Sequence, residues 1–283
     1  MTSYLKLRKQ PLYIHTPKKI IQPHPEKKKY GPFDTSDITI VLQGIINKDV
    51  DIFHSIHEYS KYAKIVLSLY DSLPNRELAE SIRLKYPDTT FVFTDYEKLV
   101  KENSEKYGSV KAHKYNQIHT TLKGIEHVTT QYLVKSRVDN FYSGIDKFIS
   151  HGIQSKKIIS SSSFLKGYST YMYHLSDCLF AGTTEQVKTI FKFADTNFSK
   201  HAETVPAEVM LWKPYIEQQM MYKGVDPNGI TLNTYIDFLS SILTVYCVNL
   251  HTSYIVKSRD KIYKKVQDID QSDKEYFQYG FRG

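Results

Sequence analysis

The chain has 283 residues, 41% of them hydrophobic, and 38 Lys plus Arg against 30 Asp plus Glu for a net charge of +8. That length and apolar content suffice for a large core and argue against a disordered polymer. No stretch reaches the roughly 18 to 20 apolar residues of a membrane span, since "ITIVLQGII" and "SILTVYCVNL" are short and carry polar groups.

The start, "MTSYLKLRKQ", lacks the apolar centre of a signal peptide, so a cytoplasmic protein is expected. Cys178 and Cys247 are far apart and neither belongs to a CxxC pair, which reads as two buried thiols rather than a disulfide framework or zinc knuckle. Much of the positive charge falls in "LKLRKQ", "PKK" and "PEKKKYG". Residues 1–36 therefore read as a basic, solvated arm, with docking to an anionic surface such as a membrane periphery as the other reading.

After "GPFDTS" the run "DITIVLQG" predicts a strand buried on both faces and closed by glycine. Asp49 to Tyr62 predicts an amphipathic helix with Ile52, Phe53, Ile56 and Tyr59 on one side. "KIVLSLYDS" predicts a second strand, "NRELAESIRLKYP" a helix stopped at Pro87, and "TTFVFTDYE" a third strand. This βαβαβ order implies a parallel sheet with right-handed crossovers.

Glu97 to Lys114 is polar and reads as a long connection, a candidate mobile loop. Ile118, Leu122, Ile125 and Val128 then recur at helical spacing, and "QYLVKS" supplies a fourth strand. The later half is less regular. "CLFAG" reads as a short strand, "TTEQVKTIFKFAD" as a helix capped by Thr183 or Thr184, and "AEVMLWKPYIEQQMMY" and "TLNTYIDFLSSILTVY" as helical, the first interrupted at Pro214.

In open α/β sheets ligands bind beyond the carboxyl ends of strands. Gln43, Gly44, Asp71, Asp95 and Asp139 all fall at such ends, a pattern that suits a nucleotide pocket. Local readings stand beside this one: Asp71 and Asp139 have turn composition around them, and Asp95 suits a helix cap before "YEKLVKE". Lys135 and Arg137 alternate with Ser136 and Val138, so both point to one face, either toward a ligand or as an ion-paired scaffold for Asp139.

Three blocks in order, "DITIVLQG", "NQIHTTLKGIEHVTTQYLVKSRVDN" and "HLSDCLFAG", resemble the WavE lipopolysaccharide synthesis family of GT-A type glycosyltransferases. The resemblance covers roughly Asp37 to Glu217. It rests on Gln43 and Gly44, on Asn116 and Gln117, on Lys135, Arg137 and Asp139, and on His174, Ser176, Asp177 and Gly182. The chain departs from the family pattern at Ile45 in place of a proline, at Val138 in place of a serine, and in lacking an arginine between Asn116 and Gln117.

The resemblance implies a GT-A, Rossmann-like fold: an open mixed, mostly parallel sheet flanked by helices, with a helical C-terminal part. It implies one domain over residues 37–283, its nucleotide-binding half about 37–145 and its acceptor half about 146–283. The implied activity transfers a sugar from a nucleoside diphosphate sugar to a glycan, lipid-linked or protein-linked acceptor, as in polysaccharide biosynthesis. Implied donor-binding residues are Gln43, Gly44, Asp95, Gln117, Lys135 and Arg137, with Asp139 holding Mn²⁺ or Mg²⁺. Asp177 and Glu208 are the acids expected to act on the acceptor hydroxyl, and a single inverting displacement needs one such base.

Two other classes stay open on the residues. One is a nucleic-acid or anionic-surface binding protein using the basic arm, although no zinc-finger, RRM or helix-turn-helix pattern accompanies the charge. The other keeps the fold and loses catalysis, leaving a sugar-binding module.

Overall fold

The computed structural model describes residues 34–46, 52–161, 172–201, 204–246 and 249–251. Residues 1–33 of the expected basic arm and Cys247 lie outside the described residues.

The first half follows the expected alternation except at α3: β1 (Ile38–Gly44), α1 (Ile52–Tyr59), β2 (Lys64–Tyr70), α2 (Leu73–Lys85), β3 (Thr90–Thr94), α3 (Tyr96–Tyr107), α4 (Ser109–Ile125) and β4 (Tyr132–Arg137). Then come β5 (Phe141–Ser143), α5 (Ile145–Ser155), β6 (Ile158–Ser161), β7 (Phe180–Thr183), α6 (Thr184–Asn197), α7 (Ala207–Tyr222), α8 (Leu232–Ile242), β8 (Leu243–Tyr246) and β9 (Asn249–His251).

Seven strands form one sheet in the order β3-β2-β1-β4-β7-β6-β8. β1 through β4 are parallel, β7 runs antiparallel to both β4 and β6, and β8 lies parallel to β6. The fold is therefore α/β with a mixed, mostly parallel sheet, and strands from the second half extend the sheet begun by the first. β5 and β9 pair separately.

Both faces are covered. Ile38, Ile40 and Leu42 of β1 pack with Ile52, Ile56 and Tyr59 of α1, Ile82 of α2 and Phe148 and Ile149 of α5. Val41, Val66 and Leu133 face the other way, toward Ile118 and Ile125 of α4, Val187 and Ile190 of α6, and Trp212 and Ile216 of α7. Alternating residues of one strand thus enter opposite cores, which explains why the central strands read as continuous apolar runs.

Several expectations change. Residues 97–114 are not a loop: α3 fills most of them, capped by Asp95, with Leu99 and Asn103 buried one turn apart, and Gly108 (φ 80°) turns the chain into α4. The polar composition hid a helix that buries only one narrow stripe. α7 runs through Pro214 without ending, because Met210, Trp212, Tyr215 and Ile216 are buried on either side of it. The last segment is helical only to Ile242; Leu243–Tyr246 pairs with β6, where hydrogen bonds across the sheet outweigh helix continuation.

Candidate functional site

β1 and β4 are neighbours, yet the chain leaves β1 toward β2 and β3 and leaves β4 toward β7 and β6. In open sheets such a divergence marks a crevice beyond the carboxyl ends of the two strands, the usual ligand position. Gly44 ends β1 there with φ 139°, and a Cβ on it would come within 3.1 Å of Val138 Cγ2. The Val138 amide donates to the Gln43 carbonyl at 3.1 Å, which holds the two strand ends together.

α4 forms the floor on one face. Gly124 lets the helix approach the sheet, since a Cβ there would lie 2.8 Å from Val41 Cγ1 and 2.9 Å from Ser68 Cβ. One turn earlier, Thr120 Oγ1 accepts from Gln43 Nε2 at 2.9 Å, and the Thr120 carbonyl accepts from Ser68 Oγ at 2.6 Å. Gln43 is therefore buried and committed to α4, with its strand end rather than its amide facing the crevice. Tyr70, at the end of β2, hydrogen-bonds Thr120 and meets the Tyr96 ring at 4.3 Å with the two planes tilted by 58°; burial pushes its hydroxyl pKa up to about 12.

Gln117, a further turn back, donates from Nε2 to Asp177 Oδ2 at 2.6 Å. The other oxygen of Asp177 accepts from the Cys178 thiol at 3.2 Å, and Cys178 is a buried free cysteine. Beneath them Lys135, at 0% exposure, directs its ammonium to the Asp177 backbone carbonyl. Burial alone would raise the Asp177 carboxyl, but Lys135, the Gln117 amide and Arg137 together hold it below the usual range. Burial lowers the pKa of Lys135 itself, against the opposing pull of the nearby Asp177 carboxylate.

Segment 174–178 is fixed from several sides. Ser161 Oγ donates to Ser176 Oγ at 3.0 Å, and Trp212 Nε1 donates to the Ser176 carbonyl at 3.1 Å. His174 Nε2 stands 3.7 Å from Glu208 Oε2, and the Glu208 side chain remains 23% exposed.

Arg137 closes the other flank. Its Nε and Nη2 donate to Oδ1 and Oδ2 of Asp139 at 2.7 and 2.6 Å, a two-pronged ion pair. Both groups stay partly open, 36% for Arg137 and 21% for Asp139. The bond to Asp139 keeps the guanidinium firmly protonated.

These placements divide the expected residues. Gln43, Gly44, Gln117, Lys135, Arg137, Asp139 and Asp177 gather at the ends of β1 and β4. Asp95 does not join them: it ends the outer strand β3 and caps α3 by accepting from the Lys98 amide at 3.0 Å. Asp71 is held by Arg76 at 2.5 and 2.6 Å. Lys135 lies under the site rather than in it. Tyr70 and Thr120 were missed by sequence reasoning; the signal for Thr120 is the polar and small stripe Gln117, Thr120, Thr121 and Gly124 beside the apolar stripe of α4.

The expected cation fits poorly with these donors. Both oxygens of Asp139 are occupied by a cationic side chain, and the Asn140 amide points to the Tyr142 hydroxyl at 3.3 Å. Among the described residues no three His, Cys, Asp or Glu side chains gather as a metal donor set. A hard cation on Asp139 must displace the guanidinium and then lie against its charge.

A cavity of about 260 Å³ lies away from this site, at the amino end of β4, between Val134, Ile149, Ile153 and Ala181 with Lys156 and Lys157 at its edge. Among the described residues no helix is long and apolar enough to cross a membrane. Comparison with protein-family models found no match, and comparison with curated proteins found no significant one.

Proposed function

We propose that the protein is a GT-A type glycosyltransferase that moves a sugar from a nucleoside diphosphate sugar to a hydroxyl of a glycan, lipid-linked or protein-linked acceptor. The observation that carries this reading is the switch of chain direction at the ends of β1 and β4, where Arg137 offers a partly exposed guanidinium in register with Gln43. A fork of N–H donors suits the oxygens of a diphosphate.

In the proposed reaction the acceptor oxygen attacks the anomeric carbon and forms a new C–O bond. The bond from that carbon to the diphosphate oxygen breaks, and its electron pair leaves on the phosphate. Arg137 faces the developing negative charge. The acceptor proton passes to Glu208, whose carboxylate is partly exposed and is oriented by His174 at 3.7 Å. Asp177 is a poorer base, because Gln117 and Cys178 occupy both its oxygens and its pKa is held low. It positions the segment that carries the acceptor side. One face is used for attack and the opposite face for departure, so the product has inverted configuration.

The test is a panel of nucleoside diphosphate sugars, with and without Mn²⁺ or Mg²⁺, read as nucleotide binding and nucleotide release. Release from one donor class, lowered in Arg137→Ala, supports the reading. Binding without release on any donor favours a non-catalytic module, and no binding on any donor removes the proposal.

A further inference from the structure

Resting on the nucleotide-sugar reading, the geometry points to a site that binds the donor diphosphate through the Arg137 guanidinium, with Asp139 as its internal placeholder and no divalent cation between them. We infer that Arg137 exchanges Asp139 for the diphosphate when the donor enters, and that the acid, the expected metal ligand, serves instead to hold the fork when the site is empty.

Four features support this. Arg137 spends two N–H donors on one carboxylate, an arrangement matched by a pair of phosphate oxygens at similar spacing. The pair is only partly buried, 36% and 21% exposed, so a ligand can reach it without unfolding the strand end. Arg137 ends β4 in direct register with Gln43 of β1, at the mouth of the crevice rather than behind it. Finally, both carboxylate oxygens of Asp139 are taken by the guanidinium, so a divalent ion there has to displace one positive charge and then lie against it.

The exchange is chemically balanced. No covalent bond changes; one set of charge-assisted hydrogen bonds replaces another, and Asp139 turns to solvent or to the donor's hydroxyls. The free acid competes with the ligand, so removing its charge should strengthen binding. This is the reverse of what a metal-ligand role demands, where the same change removes the cation and weakens binding.

The experiment titrates UDP, GDP, ADP and CDP into the full chain by calorimetry, in EDTA and separately in Mn²⁺, for wild type, Arg137→Ala, Arg137→Lys and Asp139→Asn. Thermal melts confirm that each variant is folded. The expected result is binding of one diphosphate class that survives EDTA. Arg137→Ala should weaken it on the order of ten- to a hundredfold, the cost of losing hydrogen bonds to a charged group. Arg137→Lys should recover part of that loss, and Asp139→Asn should bind more tightly than wild type.

Binding that requires Mn²⁺ and is lost in Asp139→Asn overturns the inference and restores the cation, while leaving the nucleotide reading intact. Binding that is indifferent to Arg137 also overturns it. No binding to any diphosphate in either buffer removes the nucleotide reading itself. If Arg137→Ala fails to fold, the EDTA and Asp139→Asn results decide alone.

Discussion

Gln117 and Asp177 are 60 residues apart in the chain, and the amide of one donates to the carboxylate of the other at 2.6 Å. The bond ties α4 to the segment that precedes β7. With Cys178 on the other oxygen and Lys135 below, Asp177 is ionised, satisfied and buried. That environment ties the segment before β7 to α4 and β4.

Asp177→Asn should therefore destabilise the fold by about 2 to 4 kcal/mol, since it leaves Lys135 without its nearby negative charge in a dry site. The low pKa of Lys135 moderates the loss, because the ammonium can shed its proton. Gln117→Ala should cost less, about 1 to 3 kcal/mol, by leaving one carboxylate oxygen unpaired. Urea unfolding of both variants checks the order; a larger loss in Gln117→Ala would contradict it.

Acid should act through the same carboxylate. The Asp177 pKa is lower in the folded chain than in the unfolded one, so its contribution to stability is complete above the unfolded value of about 3.9 and is lost as pH falls through the folded value. Wild type should lose stability below about pH 4 more steeply than Asp177→Asn, which has no such group to protonate. Unfolding midpoints across that acid range read the difference in slope.

Glu208→Gln should lower sugar transfer by about 10² to 10⁴ with donor affinity little changed, as expected for loss of a base that touches only the acceptor. His174→Gln should act in the same direction but more weakly, through the orientation of Glu208. Transfer rates at saturating donor, set beside donor Kd, separate this from a defect in binding.

Gly124→Ala tests the seat of α4. Its new methyl would meet Val41 Cγ1 at 2.8 Å and Ser68 Cβ at 2.9 Å, neither on a long flexible side chain. A loss of about 1 to 3 kcal/mol is expected from overpacking. Because Gln117 and Thr120 ride on the same helix, donor binding should weaken as well, and a melt plus a titration on one sample shows whether both change.

Much of the first half was legible because local pattern and tertiary position agree there. "DITIVLQG", "KIVLSLYDS" and "TTFVFTDYE" become β1, β2 and β3, and Thr183 caps α6 with its hydroxyl and the Gln186 side chain completing a capping box. The failures came where an element's partners lie far away in sequence. β6 is a serine-rich strand whose order depends on β7 and β8, and β8 continues a helical pattern until pairing with β6 interrupts it.

The sequence by itself determined the order of strands and helices in the first half apart from α3, the faces on which their side chains alternate, and the polar residues that end β1 and β4. These follow from periodicity and local turn chemistry, which involve only near neighbours. Tertiary structure alone decided that Lys135 is buried under Asp177, that the Asp95 cap lies two strands away from the crevice, and that of the two readings of Arg137 the pair with Asp139 forms, at both prongs. A charged side chain's role depends on what desolvates it and which opposite charge reaches it, and those partners come from segments that only folding brings together.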